Sequence, residues 1–184
     1  MQTMDPNRRK LLLLSGAAAG LAIFPKLAKA SRSTSTPKIL TLNNIHTGES
    51  LKTEFFDGTR YNHEELTRLN HFFRDYRANE VTRIDPRLFD QLYRLQLLMN
   101  TRKPIQLISG YRTLETNNYL RGRSARSGVA KHSFHTQGRA MDLHIEGIPL
   151  KRLRTAALSM RSGGVGYYPR SNFIHIDTGP VRHW

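Results

Sequence analysis

The absence of cysteine limits what this chain can fold into more than any other single feature of the sequence. No disulfide can stabilise the fold, so a packed hydrophobic core must do so. Any metal ion must be held by histidine or carboxylate ligands, and thiol nucleophiles are excluded. The 184 residues, of which 38% are hydrophobic and 23% charged, have the length and composition of one globular domain, or of two at most.

Residues 1–30 have the layout of an export signal rather than of a folded segment. Arg8 and Arg9 stand just before an apolar run at residues 11–24, which as a helix would be too short for the ~30 Å hydrocarbon core. A small-residue site that ends at Ala30 follows. We expect a twin-arginine (Tat) signal, transport by the Tat translocase, cleavage after about Ala30, and a periplasmic protein without a membrane anchor. An ordinary Sec signal and a retained anchor are the alternatives.

The chain is strongly basic, with 29 Lys and Arg against 14 Asp and Glu and a net charge of +15. Removing the leader, which carries +4, leaves +11 on the mature chain. Such a charge favours an anionic partner. Export argues against nucleic acid and for the polyanions of a bacterial envelope, including the carboxylates of peptidoglycan. The alternative is a solvated basic surface that only keeps the protein soluble.

Short strand patterns alternate with amphipathic helical patterns after a polar linker at residues 31–37. Alternation and turn residues predict strands at residues 38–42, 51–56, 104–109, 139–145, 164–168 and 173–177. Apolar spacing and capping residues predict helices at residues 63–77, 86–99 and 150–160, and for about two turns from residue 113, with a basic loop at 122–131. These elements predict an α+β fold over residues 38–184: a single domain with flanking helices and a small central antiparallel sheet in its C-terminal half.

Two histidines and an aspartate have a spacing that allows them to converge. His135 lies in a loop and Asp142 in the strand after it, and Gly138 permits the tight turn between them. His175 lies in a later strand, where alternation places it on the same face as Asp177. If the two strands are neighbours, His135, Asp142 and His175 meet, and they leave one position open in a catalytic zinc site. A structural role for each histidine is the alternative.

The residues around these positions form the motifs of a known superfamily. Residues 133–142 match the pattern S-x-H-x-x-G-x-A-x-D, residues 109–112 match S-G-[YF]-R, and residues 166–168 with 173–177 match a closing G-x-Y and H-x-D. The chain thereby resembles the zinc peptidases related to D-Ala-D-Ala carboxypeptidases and VanX-type dipeptidases, which share a Hedgehog-like fold with a central antiparallel sheet. The resemblance implies a Zn²⁺ cofactor with His135, Asp142 and His175 as ligands, and Arg112 as the residue that binds the substrate carbonyl.

Across residues 38–184 the chain also resembles the bacterial murein endopeptidases of this superfamily. That resemblance implies a hydrolase that cuts peptide cross-links of peptidoglycan during cell wall remodelling. It also implies a preference for the L,D bond between two meso-diaminopimelate residues over D-Ala–meso-diaminopimelate links. The alternatives are a carboxypeptidase that trims terminal D-amino acids from stem peptides, and a non-catalytic peptidoglycan-binding module. Nothing in the sequence indicates an oligomeric state.

One position departs from the pattern of many relatives, which have a Glu, Asp or His as general base two or three residues before the last ligand. Here Asn172 and Phe173 stand there, and neither accepts a proton from water near neutral pH. Asp177 is the best candidate for a replacement, either as the base or as the partner that orients a ligand imidazole. His132 and His144 could each be a base, a further ligand or neither.

Overall fold

Seven strands form one mixed sheet in the part of the chain that the structure, a computed structural model, describes: residues 36–123 and 128–184. The strands are β1 (Lys38–Asn44), β2 (Ser50–Phe56), β3 (Ile105–Ser109), β4 (Ala140–Ile145), β5 (Gly164–Tyr168), β6 (Phe173–Asp177) and β7 (Arg182–His183). Their order across the sheet is β2-β1-β3-β4-β6-β5-β7. The β1–β3 and β5–β7 pairs are parallel, and the other neighbouring pairs are antiparallel. The predicted leader, residues 31–35 of the linker and residues 124–127 of the basic loop lie outside the described residues.

Four helices accompany the sheet in these residues: α1 (His63–Phe72), α2 (Pro86–Met99), α3 (Leu114–Gly122) and α4 (Leu150–Ser159). Side chains cap two of these helices: the Asp85 carboxylate accepts a hydrogen bond at the start of α2, and the Thr113 hydroxyl accepts one at the start of α3. Within the described ranges, no helix combines the length and hydrophobicity that crossing a lipid bilayer requires.

The size and position of the sheet correct the predicted architecture, whereas the α+β class and the single domain are confirmed. The sheet is neither small nor wholly antiparallel, and it is not confined to the C-terminal half. β1 brings the N-terminal hairpin into it by pairing in parallel with β3, with Leu42 opposite Ile105. Parallel neighbours need a long crossover, and the chain between β1 and β3 supplies one that contains β2, α1 and α2.

Helix α1 ends at Phe72, five residues before the predicted end. The backbone beyond it makes other hydrogen bonds: the carbonyl of Phe73 accepts from the N–H of Tyr111 (2.8 Å), and Asp75 and Glu80 exchange two backbone bonds. The apolar spacing of the sequence carries no information about these tertiary contacts, so the helix predicted from it is too long. The contacts place residues 73–75 beside the loop that carries Arg112.

Strand alternation divides the sheet into two chemically different faces. Leu143 on β4 and Ile174 on β6 are fully buried in the hydrophobic core, where α2 and α4 pack. Asp142 and His175, one residue away on the same strands, therefore lie on the opposite face. The core holds the strands in register, and the polar face carries the candidate site.

Candidate metal centre

His135 lies in a short 3₁₀ turn, Phe134–Gln137, that precedes β4. The Ser133 hydroxyl accepts a hydrogen bond from the His135 N–H (3.3 Å), and Gly138 ends the turn with a φ of 64°. A Cβ at position 138 would lie 2.6 Å from the carbonyl oxygen of Arg83. Both the backbone angle and the available space therefore require glycine here, and the resulting turn brings the His135 imidazole back against β4.

Strand pairing brings Asp142 and His175 together. β4 and β6 are antiparallel neighbours, and these two residues are direct partners in the register. The sequence prediction depended on this pairing, and the structure confirms that the two strands are neighbours. His135, Asp142 and His175 are all buried, and they form the one group of metal-type ligands found in the described part of the chain.

One ligand atom from each of these three residues meets at the same point. The Nε2 of His135 lies 3.1 Å from the Nδ1 of His175 and 3.2 Å from the Oδ1 of Asp142, and the latter two atoms are 2.9 Å apart. A tetrahedral ion with bonds of about 2.0–2.1 Å has ligand atoms roughly 3.3–3.4 Å apart. The spacing and the two-nitrogen, one-oxygen donor set therefore fit zinc closely.

A backbone carbonyl orients the imidazole of His135. Its Nδ1 lies 2.7 Å from the oxygen of Gly110, and since a carbonyl only accepts, Nδ1 carries the proton and Nε2 the lone pair. The Arg112 guanidinium, which only donates, lies 3.0 Å from this Nε2. Burial lowers the pKa of His135 to about 4, although the charge of Asp142 acts in the opposite direction. The ring is therefore neutral near pH 7, as a metal ligand must be.

The loop that carries Gly110 and Arg112 is anchored from outside the site. It approaches the backbone just after α1 so closely that a Cβ at Gly110 would lie 2.5 Å from the carbonyl oxygen of Phe73. The backbone N–H and the hydroxyl of Thr113 both donate to the buried carboxylate of Asp75, at 2.9 and 3.0 Å. These contacts fix the position of the carbonyl that orients His135.

Arg112 is buried beside the ligand atoms. Its Nη2 donates to the Oδ2 of Asp142 (2.5 Å), and its Nε donates to the Ser109 hydroxyl (2.8 Å). The guanidinium also lines the cleft above the site. It therefore combines an ion pair with Asp142 and a position from which it can reach a substrate.

A carboxylate, rather than a carbonyl, orients the imidazole of His175. Its Nε2 lies 3.0 Å from the Oδ2 of Asp177, which also accepts from the Nη2 of Arg182 (2.7 Å). The Oδ1 of the same carboxylate accepts from the Nη1 of Arg182 (3.0 Å) and from the N–H groups of Gly164 and Gly179 (3.0 and 2.8 Å). Burial alone would raise the pKa of Asp177, but the hydrogen bonds from His175 and Arg182 outweigh it and hold the pKa far below its ordinary value. A carboxylate held by this many donors orients the imidazole and is poorly suited to accept a proton.

His175 lies between two carboxylates. Burial lowers its pKa, but hydrogen bonds with Asp142 and Asp177 outweigh this effect and raise the pKa above its ordinary value. The site therefore favours a positive charge at the Nδ1 of His175. A bound metal ion would supply that charge and displace the proton.

The two remaining candidate histidines lie in different environments. His132 is exposed and lines the cleft. His144 is on β4 opposite Gln106 of β3, its Nδ1 is buried without a hydrogen-bond partner, and burial lowers its pKa. Neither histidine joins the group of ligand atoms in the described residues.

A cleft of about 450 Å³ opens above the three ligand residues. Arg182 and Trp184 line it together with Arg112 and His132, and sequence reasoning missed Arg182 and Trp184. The sequence contains one indication of their role: Arg182 and Trp184 are two residues apart, and residues at i and i+2 of an extended segment share a face. The Arg182 guanidinium lies between the rings of Phe134 (5.1 Å) and Trp184 (5.0 Å), which fixes it against Asp177.

The chain belongs to the peptidase family described as "Peptidoglycan L,D-endopeptidase MepK", whose family model matches residues 32–184. It is therefore an enzyme of the hydrolase class.

Curated relatives match the chain over its whole length. The chain is 69% identical over 184 residues to "Peptidoglycan L,D-endopeptidase MepK" of Escherichia coli (strain K12), covering all of both chains. It is 46% identical over 185 residues to "Probable peptidoglycan L,D-endopeptidase MepK" of Haemophilus influenzae, covering all of this chain and 98% of the relative. No solved structure matches the chain.

Proposed function

We propose that this chain is an exported, zinc-dependent endopeptidase that cuts peptide cross-links of peptidoglycan in the periplasm, with the L,D bond between two meso-diaminopimelate residues as its preferred target. The observation that carries the proposal is the meeting of His135, Asp142 and His175 beneath a cleft. The 69% identity to an L,D-endopeptidase supports the substrate. The layout of residues 1–30 supports Tat export and the periplasmic location.

The residues around the site have separate roles in this reaction. Zinc held by His135, Asp142 and His175 would act as a Lewis acid on the scissile carbonyl and lower the pKa of a water molecule. Arg112 donates toward the carbonyl oxygen and stabilises the negative charge that develops there; one well-placed donor contributes about 3–4 kcal/mol to such a step. Asp177 positions the imidazole of His175, because its carboxylate is fully engaged with donors.

His132 is the proton acceptor in this proposal. Asn172 and Phe173 occupy the positions where many zinc peptidases of the resembled superfamily have a base. The carboxylate of Asp177 is already engaged with hydrogen-bond donors. His132 lines the cleft and is exposed, so water in the cleft can reach its ring. His132→Ala should lower kcat with little change in KM, while the matched variant His144→Ala should keep wild-type kinetics. Equal activity of wild type and His132→Ala would exclude this role.

The arginines of the cleft favour an endopeptidase over a carboxypeptidase. A carboxypeptidase needs a cation reserved for the terminal carboxylate of its substrate. The two guanidinium groups that line the cleft in the described residues are each paired with a buried aspartate: Arg112 with Asp142 and Arg182 with Asp177. Neither is reserved for a carboxylate of the substrate, which suits cleavage within a cross-linked peptide.

The positive charge of the chain is concentrated in the part that carries the site. Residues 94–184 contain 15 Lys and Arg against four Asp and Glu, whereas residues 36–93 contain eight against nine. This basic part supports attraction to the carboxylates of peptidoglycan. Activity on intact sacculi should therefore fall with added salt, because exposed charges are screened over about 8–10 Å. Turnover that does not depend on salt would remove this part of the proposal.

Digestion of a defined cross-linked muropeptide tests the function. The enzyme should convert dimers to monomers, as seen by chromatography and mass spectrometry, lose this activity with a chelator, and regain it with zinc. Peptide shortening with the dimers intact would instead indicate the carboxypeptidase. Full activity in the presence of chelator would overturn zinc dependence.

His175→Ala separates an enzyme from a binding module. We expect the variant to lose hydrolysis of the cross-linked muropeptide while it retains affinity for intact sacculi in a sedimentation assay. If the wild type sediments with sacculi but hydrolyses no cross-link of either type, the chain is a binding module with a vestigial site.

A further inference from the structure

Trp184 is the only tryptophan of the sequence, and its backbone is fixed at the edge of the sheet beside the candidate metal centre. Its N–H donates to the carbonyl of Val165 (3.2 Å), and its carbonyl accepts from the N–H of Tyr167 (3.1 Å). These bonds continue the parallel pairing of β7 with β5. The side chain of Trp184 consequently projects from a defined position of the sheet.

The indole of Trp184 lies on the bare backbone of Gly166. A Cβ at that glycine would be 2.8 Å from the indole ring, so the missing side chain is what makes room for the ring. The indole N–H donates to the Tyr168 hydroxyl (2.7 Å), and the ring centre lies 5.3 Å from that of His175. The indole is thus fixed directly beside one of the three metal-type ligands.

Three aromatic rings form one side of the cleft. The rings of Tyr168 and Phe173 are stacked with their centres 4.5 Å apart, and both line the cleft with Trp184. We call these three residues the aromatic wall. Trp184 remains 47% exposed, although its ring is held in one orientation. An exposed apolar surface that is fixed in a concave site is typical of a ligand-binding subsite.

The charges near the aromatic wall restrict which side chains of a substrate can bind there. Arg182, which lies against the indole (5.0 Å), is already paired with Asp177 through two hydrogen bonds. Among the described residues, the wall therefore offers apolar contact rather than an unpaired charge. A peptide side chain that fits this surface has an aliphatic stem, with any charged group at its far end in solvent.

We propose that the aromatic wall is the specificity-determining subsite for the aliphatic stem of a diamino acid side chain next to the scissile bond. This inference rests on the proposed function and names how that substrate is recognised. In meso-diaminopimelate, a polymethylene chain joins two amino-acid centres. Contact of this chain with the indole of Trp184 would distinguish it from a shorter side chain such as that of alanine.

The kinetics of Trp184→Ala test the proposal. On a cross-linked muropeptide, we expect KM to rise about tenfold, in the lower range for loss of apolar contact in a substrate pocket, while kcat changes less than threefold. Trp184→Phe should give a smaller increase. The matched control is Tyr119→Ala, which removes an aromatic side chain that is 60% exposed on α3 and should leave KM unchanged. An unchanged KM for Trp184→Ala, or a fall in kcat alone, overturns the proposal.

The fluorescence of the wild-type enzyme provides a second test that does not require a variant to fold or the enzyme to turn over. Because Trp184 is the only tryptophan, all indole emission comes from the cleft. Titration with a stem tripeptide that ends in meso-diaminopimelate should change this emission to saturation, and the same peptide with alanine at that position should bind at least tenfold more weakly. Equal binding of the two peptides contradicts the proposal. If the wild type cuts no cross-link but distinguishes the peptides, the proposed function fails and the subsite stands.

Discussion

The two histidines at the centre of the site are held in opposite ways. His135 is oriented by the neutral carbonyl of Gly110, on a loop that contacts outside the site keep in place. His175 is oriented by the charged carboxylate of Asp177, which a guanidinium and two backbone N–H groups hold in turn. One ligand therefore depends on the fold of a loop, and the other on a buried charge network.

This difference determines how a substitution beside each histidine affects stability and metal affinity. On the His135 side, a side-chain change alters the loop first and the imidazole only as a consequence, so stability should respond more than metal affinity. On the His175 side, a change in charge acts on the imidazole directly through Asp177. Metal affinity should therefore respond strongly there, since partners that orient ligand histidines typically contribute about 10–100-fold to affinity.

Asp177→Asn should have the largest effect. It keeps the side-chain volume but removes the charge that holds His175 and Arg182. We expect zinc affinity to fall about 10–100-fold and the free energy of unfolding to fall by about 1–3 kcal/mol, because buried donors lose their partner. Competition with a chromophoric chelator and urea unfolding of the metal-free protein measure the two effects. The control is Asp90→Asn, which removes the charge of a half-buried carboxylate paired with Lys38 and should keep wild-type zinc affinity. Wild-type zinc affinity in Asp177→Asn would contradict the difference between the two histidines.

Arg182→Gln should have an intermediate effect. It acts on His175 only through Asp177, and part of its side chain is in solvent, so we expect zinc affinity to fall less than tenfold. The same chelator competition measures it. Arg152→Gln removes the same charge from an exposed position on α4 and should not change the affinity. If Arg182→Gln folds and binds zinc like the wild type, Asp177 does not need the guanidinium to hold the imidazole.

Asp75→Asn should have the smallest effect on the metal and a pH-dependent effect on stability. Burial alone would raise the pKa of Asp75, but hydrogen bonds from Thr116 and Thr113 outweigh it and lower the pKa below its ordinary value of 3.8. A carboxyl group with a lowered pKa in the folded state stabilises the fold above its ordinary pKa, and this contribution is lost as the pH falls through the folded-state value. Asparagine does not titrate.

The variant should consequently be less stable than the wild type by about 1–3 kcal/mol at pH 7, and the gap should shrink below about pH 4. Urea unfolding of the metal-free wild type and variant, at pH 7 and again below about pH 4, measures this difference in the free energy of unfolding. Zinc affinity at pH 7 should change less than threefold, because Asp75 anchors the loop from outside the site. A stability gap that is constant with pH, or a loss of zinc as large as that of Asp177→Asn, would remove the distinction between the two sides.

The sequence predicts the convergence of His135, Asp142 and His175 because strand alternation and the turn at Gly138 bring their side chains toward one face. Asp142 and His175 have the strand positions that bring them together once β4 and β6 pair. The pairing of β1 with β3 was not predictable in this way, because it depends on a crossover whose path no local pattern records. The early end of α1 was missed for the same reason, since Phe73 bonds to a residue distant in sequence.

The side chains that support the ligands were the harder part of the site to predict. Asp177 shares a strand face with His175, so the sequence predicts that it lies in the site. Whether it accepts protons or orients the imidazole depends on how many hydrogen-bond donors surround its carboxylate, which the sequence does not show. Arg182 and Trp184 reach the site from the far edge of the sheet. Their spacing of two residues indicates a shared face, but their contact with the site becomes visible only when β7 is placed beside β5.

The most direct test of the account is the metal content of the purified enzyme and of its three ligand variants. We expect one zinc ion per chain in the wild type and almost none in His135→Ala, Asp142→Ala or His175→Ala, with hydrolysis of the cross-linked muropeptide lost in each variant. Metal-free wild type should be inactive until zinc is restored. Full hydrolysis by the metal-free enzyme, or wild-type zinc content in all three variants, would contradict the account.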